Sequence, residues 1–294
     1  MSKQVLPTYS IHNLKEAPVS PKDFIADHFA HYLEDHPNLH FPHKHSFYHL
    51  VYFTKGSGSH SIDFVHFPVE AGQIYFMAPG QVHSWDFDQQ PDGYIVNFSE
   101  QYLQALIANP GYPDQFSFFS GIASQQVIVI PSAGRQQIEE ILETIVREGN
   151  STAAFKDDFA RAALVQLLIL VNRYTNKEGE EHRSNYNTVL LQNFRKLIEQ
   201  HYKEKRLTKD YAAMLYITPN HLNALSKDVT GRSAGELIRD RILLEAKRLL
   251  VNARLTIAQI AGELNFIDNS YFSKFFRKYE GITPEAFRKQ IIKK

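Results

Sequence analysis

The chain has 294 residues, 43% of them hydrophobic, enough to bury a sizeable core and of a length that favours two domains over one. Its 32 basic and 32 acidic side chains cancel overall, yet up to residue 186 there are 12 basic against 21 acidic, and beyond it 20 against 11. That split excludes a uniformly basic packaging protein and points to an acidic module joined to one able to face phosphates. The absence of cysteine excludes a disulfide framework, a thiolate zinc finger and a Cys nucleophile. Residues 1–20 lack an apolar core behind basic residues, and nowhere do eighteen apolar residues run together. The expectation is a soluble, cytoplasmic protein with no membrane partner.

From residue 41 to 98 the chain breaks into short β-branched and aromatic runs at 47–54, 59–64, 73–77, 83–87 and 94–98, separated by Gly and Pro. Short strands at that spacing predict an antiparallel barrel or sandwich, with Gly56-Ser57-Gly58 as a hairpin turn. After Pro131 the period changes. Ile138, Ile141, Leu142, Ile145 and Val146 share one face of a helix, and the run 155–174 is apolar nearly all round from Ala163 to Val171, which predicts burial against the first helix, the barrel or another subunit. Residues 175–187 (TNKEGEEHRSNYN) have the composition of a linker. The fold class is therefore α+β in two domains: strands then helices over 1–174, the linker, and an all-α domain over 188–294.

The last hundred residues contain an internal repeat. Leu207-Thr208 recurs as Leu255-Thr256 and Ala213 as Ala261, each 48 residues on, while Leu222, Leu225 and Gly231 recur as Phe272, Phe275 and Gly281, 50 residues on. Each copy reads as a Thr-capped helix (Thr208, Thr256), a turn, and a second helix opened at Thr218-Pro219 or Asp268-Asn269 and closed by Gly231 or Gly281. A helix, tight turn and helix with a polar N-terminal face can lay its second helix in the major groove of double-stranded DNA. In the first copy Thr218, Asn220, His221 and Asn223 stand beside a stripe of Leu222, Leu225 and Val229; in the second, Asn269, Ser270, Ser273 and Lys274 flank Tyr271, Phe272, Phe275 and Phe276. The Asn side chains suit adenine edges, whereas Lys227, Arg277 and Lys278 lie where phosphates would be met. The segment 233–250 between the units, with Leu237, Ile238, Ile242 and Leu249 on one face, predicts a connecting helix roughly 27 Å long, near the spacing of one DNA turn.

Over about 197–288 the sequence resembles the AraC/XylS family of bacterial transcription regulators. The segments RILLEAKRLL (241–250), IAQIAGELNF (257–266), SYFSKFFRK (270–278), GITP (281–284) and Phe287-Arg288 carry the resemblance. Asn265 stands where the family usually has Gly, and Ala224 where many members carry a longer base-contacting side chain. The resemblance implies a paired helix-turn-helix domain that binds DNA, a homodimer, and contact with RNA polymerase of the kind an activator makes.

Twelve of the 14 histidines precede residue 186, and His43, His45 and His49 alternate with Phe47 and Val51 so that all would face one way on a strand. His83 and Trp85 would approach from another strand, with Tyr48 and Tyr75 facing the other side. Two chemistries fit this set. His43, His45, His49 and His83 could be neutral groups orienting a polar effector beside the stacking wall of Trp85, with no cofactor, or they could coordinate a divalent transition metal. The region resembles the cupin superfamily in the form carried by AraC-type regulators as effector and dimerisation domain: His43-x-His45, then His49 and Gly56, follow the first cupin motif, and Pro79-Gly80-Gln81-Val82-His83 the second. His49 replaces the usual Glu and Phe87 the usual Asn, no Gly stands six residues before His43, and Pro79-Gly80 lacks an intervening residue. The resemblance implies a cupin-like β-barrel that binds a small-molecule effector, commonly without metal. No catalytic nucleophile spacing, phosphate loop or carboxylate pair stands out, so the expectation is a regulator rather than an enzyme. The competing reading is a metal-dependent cupin enzyme or metal sensor that the basic domain recruits to DNA or a partner.

Overall fold

A computed structural model describes residues 6–14, 23–107, 109, 111–175 and 186–292. The chain divides into two compact units, one of Pro7–Gly179 and one containing everything from Glu180 onward. Most of the linker expected at 175–187 lies outside the described residues; Thr175 still belongs to the helix before it, and Tyr186 already to the helix after it. Among the described residues no helix is long and apolar enough to cross a membrane.

The first unit runs β1 (Thr8–Tyr9), β2 (Phe24–His28), α1 (Phe29–Asp35), β3 (His43–His45), β4 (Tyr48–Ile62), β5 (Val65–Pro68), β6 (Gln73–Met77), β7 (Val82–Phe98), α2 (Glu100–Gln104), β8 (Val127–Val129), α3 (Ser132–Asn150) and α4 (Lys156–Thr175). All eight strands join one sheet in the order β1-β3-β7-β4-β6-β8, with β2 also on β7 and β5 also on β4. Its two ends do not pair with each other among the described residues, so the expected barrel is an open, folded sheet, and β1 runs parallel to β3.

Two features were not foreseen. The runs 47–54 and 59–64 are halves of one strand, β4, and the runs 83–87 and 94–98 are halves of β7; the two long strands pair from Tyr48↔Phe98 to Ile62↔His83. The segment Gly56-Ser57-Gly58 is therefore no hairpin turn. It carries successive register shifts between Phe53 and Gly58, with Gly56 and Gly58 at φ 127° and 137°, and here the ribbon bends. Opposite it Gly93 has φ 148°, and a Cβ there would collide with the backbone carbonyl of Tyr52.

The bend places two cores on either side of the first half of the ribbon. Val51, Phe53, Tyr75, Met77 and Ile95 point inward to meet Ile62 and Trp85 from the second half, with Phe29, Tyr32 and Leu33 closing the space. Leu50, Tyr52, Ile74, Phe76, Val96 and Phe98 point outward, and α3 and α4 cover them with Ile138, Leu142, Ile145, Leu164, Leu167 and Leu168. Tyr48 lies on this outer side as expected, but Tyr75 faces inward with the histidines. The helical periodicity of α3 holds at every position named, and α4 is buried along Ala160, Ala163, Leu164, Leu167, Leu168 and Val171 while Phe159 remains exposed.

The second unit contains α5 (Tyr186–His201), α6 (Thr208–Met214), α7 (Pro219–Thr230), α8 (Ala234–Leu250), α9 (Ile257–Glu263), α10 (Asn269–Glu280) and α11 (Pro284–Ile292). The repeat is structural as well, with a corrected register. Leu207, not Thr208, is the cap position of α6, and Ala212, not Ala213, is the buried counterpart of Ala261, because Ile217 and Phe266 donate to Ala212 and Ala261 in the same way. Tyr216 and Asn265 hold matching left-handed positions at φ 56° and 54°; Asn tolerates that region without glycine. The second turn is longer by one residue, since the second helices open at Pro219 and Asn269 and end on left-handed Gly231 and Gly281. Val229, expected in the buried stripe, is 44% exposed, and Ser226 is buried in its place. The connecting helix α8 opens with a Ser233/Glu236 capping box and buries Ala234, Ile238, Ile242, Ala246 and Leu250.

Gly93→Ala is expected to destabilise the first unit by more than ~1 kcal/mol, because both its φ and its space exclude a Cβ. Urea denaturation checks this against Gly80→Ala, where φ is also positive but nothing lies within 4 Å of the new methyl.

Candidate functional site

The inward face of the bent sheet gathers histidines from both halves of the ribbon. His43 and His45 come from β3, His49 from the start of β4, and His83 and Trp85 from the start of β7, where His83 pairs directly with His43. All five sequence-assigned residues are buried, at no more than 3% exposure. Ring centroids separate His43 from His83 by 4.1 Å, His45 from His83 by 4.7 Å, His45 from His49 by 4.8 Å and His83 from Trp85 by 4.9 Å.

A sixth member escaped the sequence reading. His60, fully buried, places Nε2 3.3 Å from His83 Nδ1 and its ring 4.8 Å from Tyr75. Alternation counted from His49 puts residue 60 on the outer face, but the register shifts between Phe53 and Gly58 reverse the parity of the rest of β4. Two glycines inside an alternating run were the available signal.

Burial holds all five imidazoles neutral. It pushes His43 down to about 4 and His49 down to about 3, and it lowers His45, His60 and His83 well below the usual value. The surroundings also fix two tautomers. His43 Nδ1 donates to the Phe41 carbonyl (2.7 Å), and His49 Nδ1 donates to Asn97 Oδ1 (2.6 Å), whose Nδ2 in turn donates to the Tyr32 hydroxyl (3.3 Å). A neutral ring with Nδ1 protonated presents a bare Nε2, so both residues aim lone pairs into the cluster. Nε2 of His43 stands 3.1 Å from Nε2 of His45. His45 Nδ1, His49 Nε2, His60 Nδ1, His83 Nε2 and Trp85 Nε1 are buried with no hydrogen-bond partner among the described residues. Five orphaned polar atoms in one place are what a polar ligand or a metal ion would satisfy. Ligand nitrogens of His43, His45 and His83 all lie within 4.8 Å of one another; a second group, Asp27, His31 and Asp35, is mostly exposed on the surface around α1.

In the second unit, Asp268 caps α10 by accepting from Tyr271 N (2.7 Å), and Thr218 caps α7 by accepting from His221 N (3.2 Å). Asn220, His221, Lys227, Asn269, Ser270, Lys274, Arg277 and Lys278 are exposed, Ser273 is half-buried, and Thr218 is exposed at its cap. Asn223 is half-buried and its Oδ1 accepts from Ala234 N (3.1 Å), so this side chain ties α7 to the start of α8. Arg206 ties the two copies together. Its guanidinium donates to the carbonyls of Leu264 (2.5 Å) and Asn265 (3.0 Å) at the end of α9 and stacks on Phe266 at 3.8 Å. Arg241 on α8 clamps Glu199 and Glu245 at 2.8 and 3.0 Å and covers Tyr202.

An AraC-like ligand binding domain model matches residues 27–168, and a helix-turn-helix domain model matches residues 211–290. The chain is 23% identical over 268 residues to the HTH-type transcriptional activator RhaR of Pectobacterium atrosepticum, covering 88% of this chain and 90% of that protein. It is 22% identical over 246 residues to RhaR of an Escherichia coli strain, covering 84% and 86%. Among solved structures, the unsaturated fatty acid-bound ToxT of Vibrio cholerae matches at 13% identity over 90% of this chain and 94% of that one, with a TM-score of 0.44. The chain belongs to the AraC family of transcription regulators, with that family's ligand-binding domain ahead of its helix-turn-helix DNA-binding domain.

Proposed function

We propose that this regulator acts in the cytoplasm as a homodimeric, effector-controlled transcription activator that engages RNA polymerase at its sites and performs no catalysis. The observation that carries the reading is the joining, in one chain, of a buried nest of unsatisfied polar nitrogens to two helix-turn-helix units with exposed polar openings. A ligand satisfying those nitrogens would favour one arrangement of the strand domain, and DNA another or the same one; the coupling between the two affinities is the regulation. The basic excess of the second half supplies a charge-based attraction to DNA phosphates that added salt would weaken. The relatives named RhaR are transcriptional activators, which supports activation over repression here. Phe159, 56% exposed, lines a groove between α3 and α4, and Phe155, 81% exposed, stands one turn before it; together they offer an apolar face that a second copy would cover.

On duplex DNA selected from a randomised pool, Asn269→Ala and Lys274→Ala are expected to lose about 1–3 kcal/mol of discrimination against random DNA. Lys278→Ala is expected to weaken selected and random DNA alike and to reduce the slope of log affinity against log salt by about 1. Competition gel shifts at several salt concentrations check both, and equal losses on both DNAs for the first pair would remove α10 as the reading helix. Sedimentation of the full chain is expected to show a dimer that Phe155→Glu with Phe159→Glu converts to monomer without lowering Tm.

A further inference from the structure

We propose that Ile267, the residue inserted in the turn of the second helix-turn-helix unit, packs on the C5 methyl group of a thymine and so sets base preference at the edge of the site that α10 reads. The inference deepens the reading above and rests on it for the placement of α10 in the major groove. Among the described residues the two most exposed large apolar side chains are Tyr216, at 96%, and Ile267, at 92%, and they stand in the turns that lead into α7 and α10. In the first turn Ile217 passes directly to the cap Thr218, so the frame closes with no residue in the place of Ile267. In the second, the residues on either side of it are committed to the fold. Phe266 donates its N–H to the Ala261 carbonyl (2.8 Å) and is buried against Phe272 and Phe275 beneath the Arg206 guanidinium, while Asp268 caps α10 by accepting from Tyr271 N. Between an anchored ring and a capping carboxylate, the Ile267 side chain is left projecting into solvent.

Position and chemistry together decide what that side chain meets. A helix laid in the major groove touches base edges with its N-terminal residues, and Ile267 stands two residues before Asn269, the first residue of α10. Two residues span at most roughly 7 Å, or about two base steps. Isoleucine has neither donor nor acceptor, so it gains nothing from a phosphate and cannot read a hydrogen-bonding edge. The apolar group that the major groove displays is the thymine methyl, and covering it takes apolar surface of both partners out of water. The inserted residue thereby sets an apolar reader beside the exposed polar ones, Asn269, Ser270 and Lys274, without altering the frame that holds them.

The test uses the full-length protein and duplex DNA selected from a randomised pool, in which each thymine is replaced in turn by deoxyuridine. That exchange removes the methyl group and keeps every hydrogen-bonding atom. The expected result is one thymine whose replacement weakens wild-type binding about fourfold, the effect of one methyl-sized group taken out of water. Ile267→Ser should bind the thymine duplex at least about fourfold more weakly, with unchanged Tm, and should lose nothing further on the deoxyuridine duplex. Ile267→Val should keep the methyl dependence, and so should Tyr216→Ser, whatever that variant does to affinity, because the two turns belong to different units. The proposal is overturned if no methyl is felt by wild type and ignored by Ile267→Ser, if Tyr216→Ser abolishes the same dependence, or if Ile267→Ser lowers Tm and so has a role in the core. It is overturned as well if Ile267→Ser binds DNA like wild type but fails to activate transcription with RNA polymerase, since the side chain then faces a protein. Should Asn269→Ala and Lys274→Ala lose discrimination while no methyl is sensed through Ile267, α10 remains the reading helix and the apolar contact alone falls. Should Ile267 sense a methyl while that pair loses equally on selected and random DNA, the apolar contact stands and the assignment of the polar readers falls.

Discussion

The folding of one ribbon onto itself is the constraint from which the first unit follows. β4 and β7 pair along their whole length, and their joint bend at Gly56, Gly58 and Gly93 turns fifteen-residue and seventeen-residue strands into two facing halves. Without the bend, His49 and His60 would lie far apart along an extended strand, whose rise is about 3.3 Å per residue. With it, both meet His83. The same bend leaves the outward face of the first half free for α3 and α4, so the inner and outer cores are two consequences of one backbone event. Glycine is required there because the second strand approaches the Tyr52 carbonyl too closely for any side chain at residue 93.

Placing five imidazoles and an indole N–H in that interior runs against the usual sorting of side chains. A buried polar atom without a partner destabilises by about 1–3 kcal/mol, against a net domain stability of roughly 5–15 kcal/mol. The surroundings reduce the penalty by keeping the rings uncharged and by pairing His43 and His49 on one side, yet an inward-facing atom remains orphaned on every ring but that of His43. A ligand that satisfies them binds the folded state alone and raises its stability by mass action. Ligand occupancy and integrity of the strand domain are thereby linked, which is the property a sensor needs.

Much of this was legible in the sequence, and the failures in the strand region trace largely to one bulged stretch. Helical stripes such as Ile138 to Val146, the caps Thr218, Thr256 and Asp268, and the terminal glycines Gly231 and Gly281 are local signals, and they lie where they were read. The four histidines were legible because alternation holds within each half of the ribbon. Alternation fails across a bulge, where one added residue reverses the faces, so His60 was missed, the hairpin was misplaced and two strands were counted as four. Closure of the barrel was likewise invisible, because whether the last strands of a sheet pair is decided by long-range geometry that no window of residues encodes. The repeat register slipped for a related reason: matching Leu-Thr pairs suggested a displacement that the buried Ala212 and Ala261 do not share.

The two units also differ in how freely their functional residues can change. On α7 and α10 the exposed polar side chains project from a frame held by other atoms: the caps, the Asn223 bond to α8, and the Arg206 bridge from the first copy to the end of α9. Replacing Asn269 or Lys274 alters what the helix meets without disturbing what holds it. In the histidine cluster each functional ring is also part of the core, touching its neighbours on the inner face and reaching back to Phe41, Asn97 or another imidazole. A change of one ring there disturbs packing, tautomers and ligand chemistry together. Specificity for DNA can therefore drift residue by residue, whereas the chemistry sensed by the strand domain changes only when several buried groups change at once.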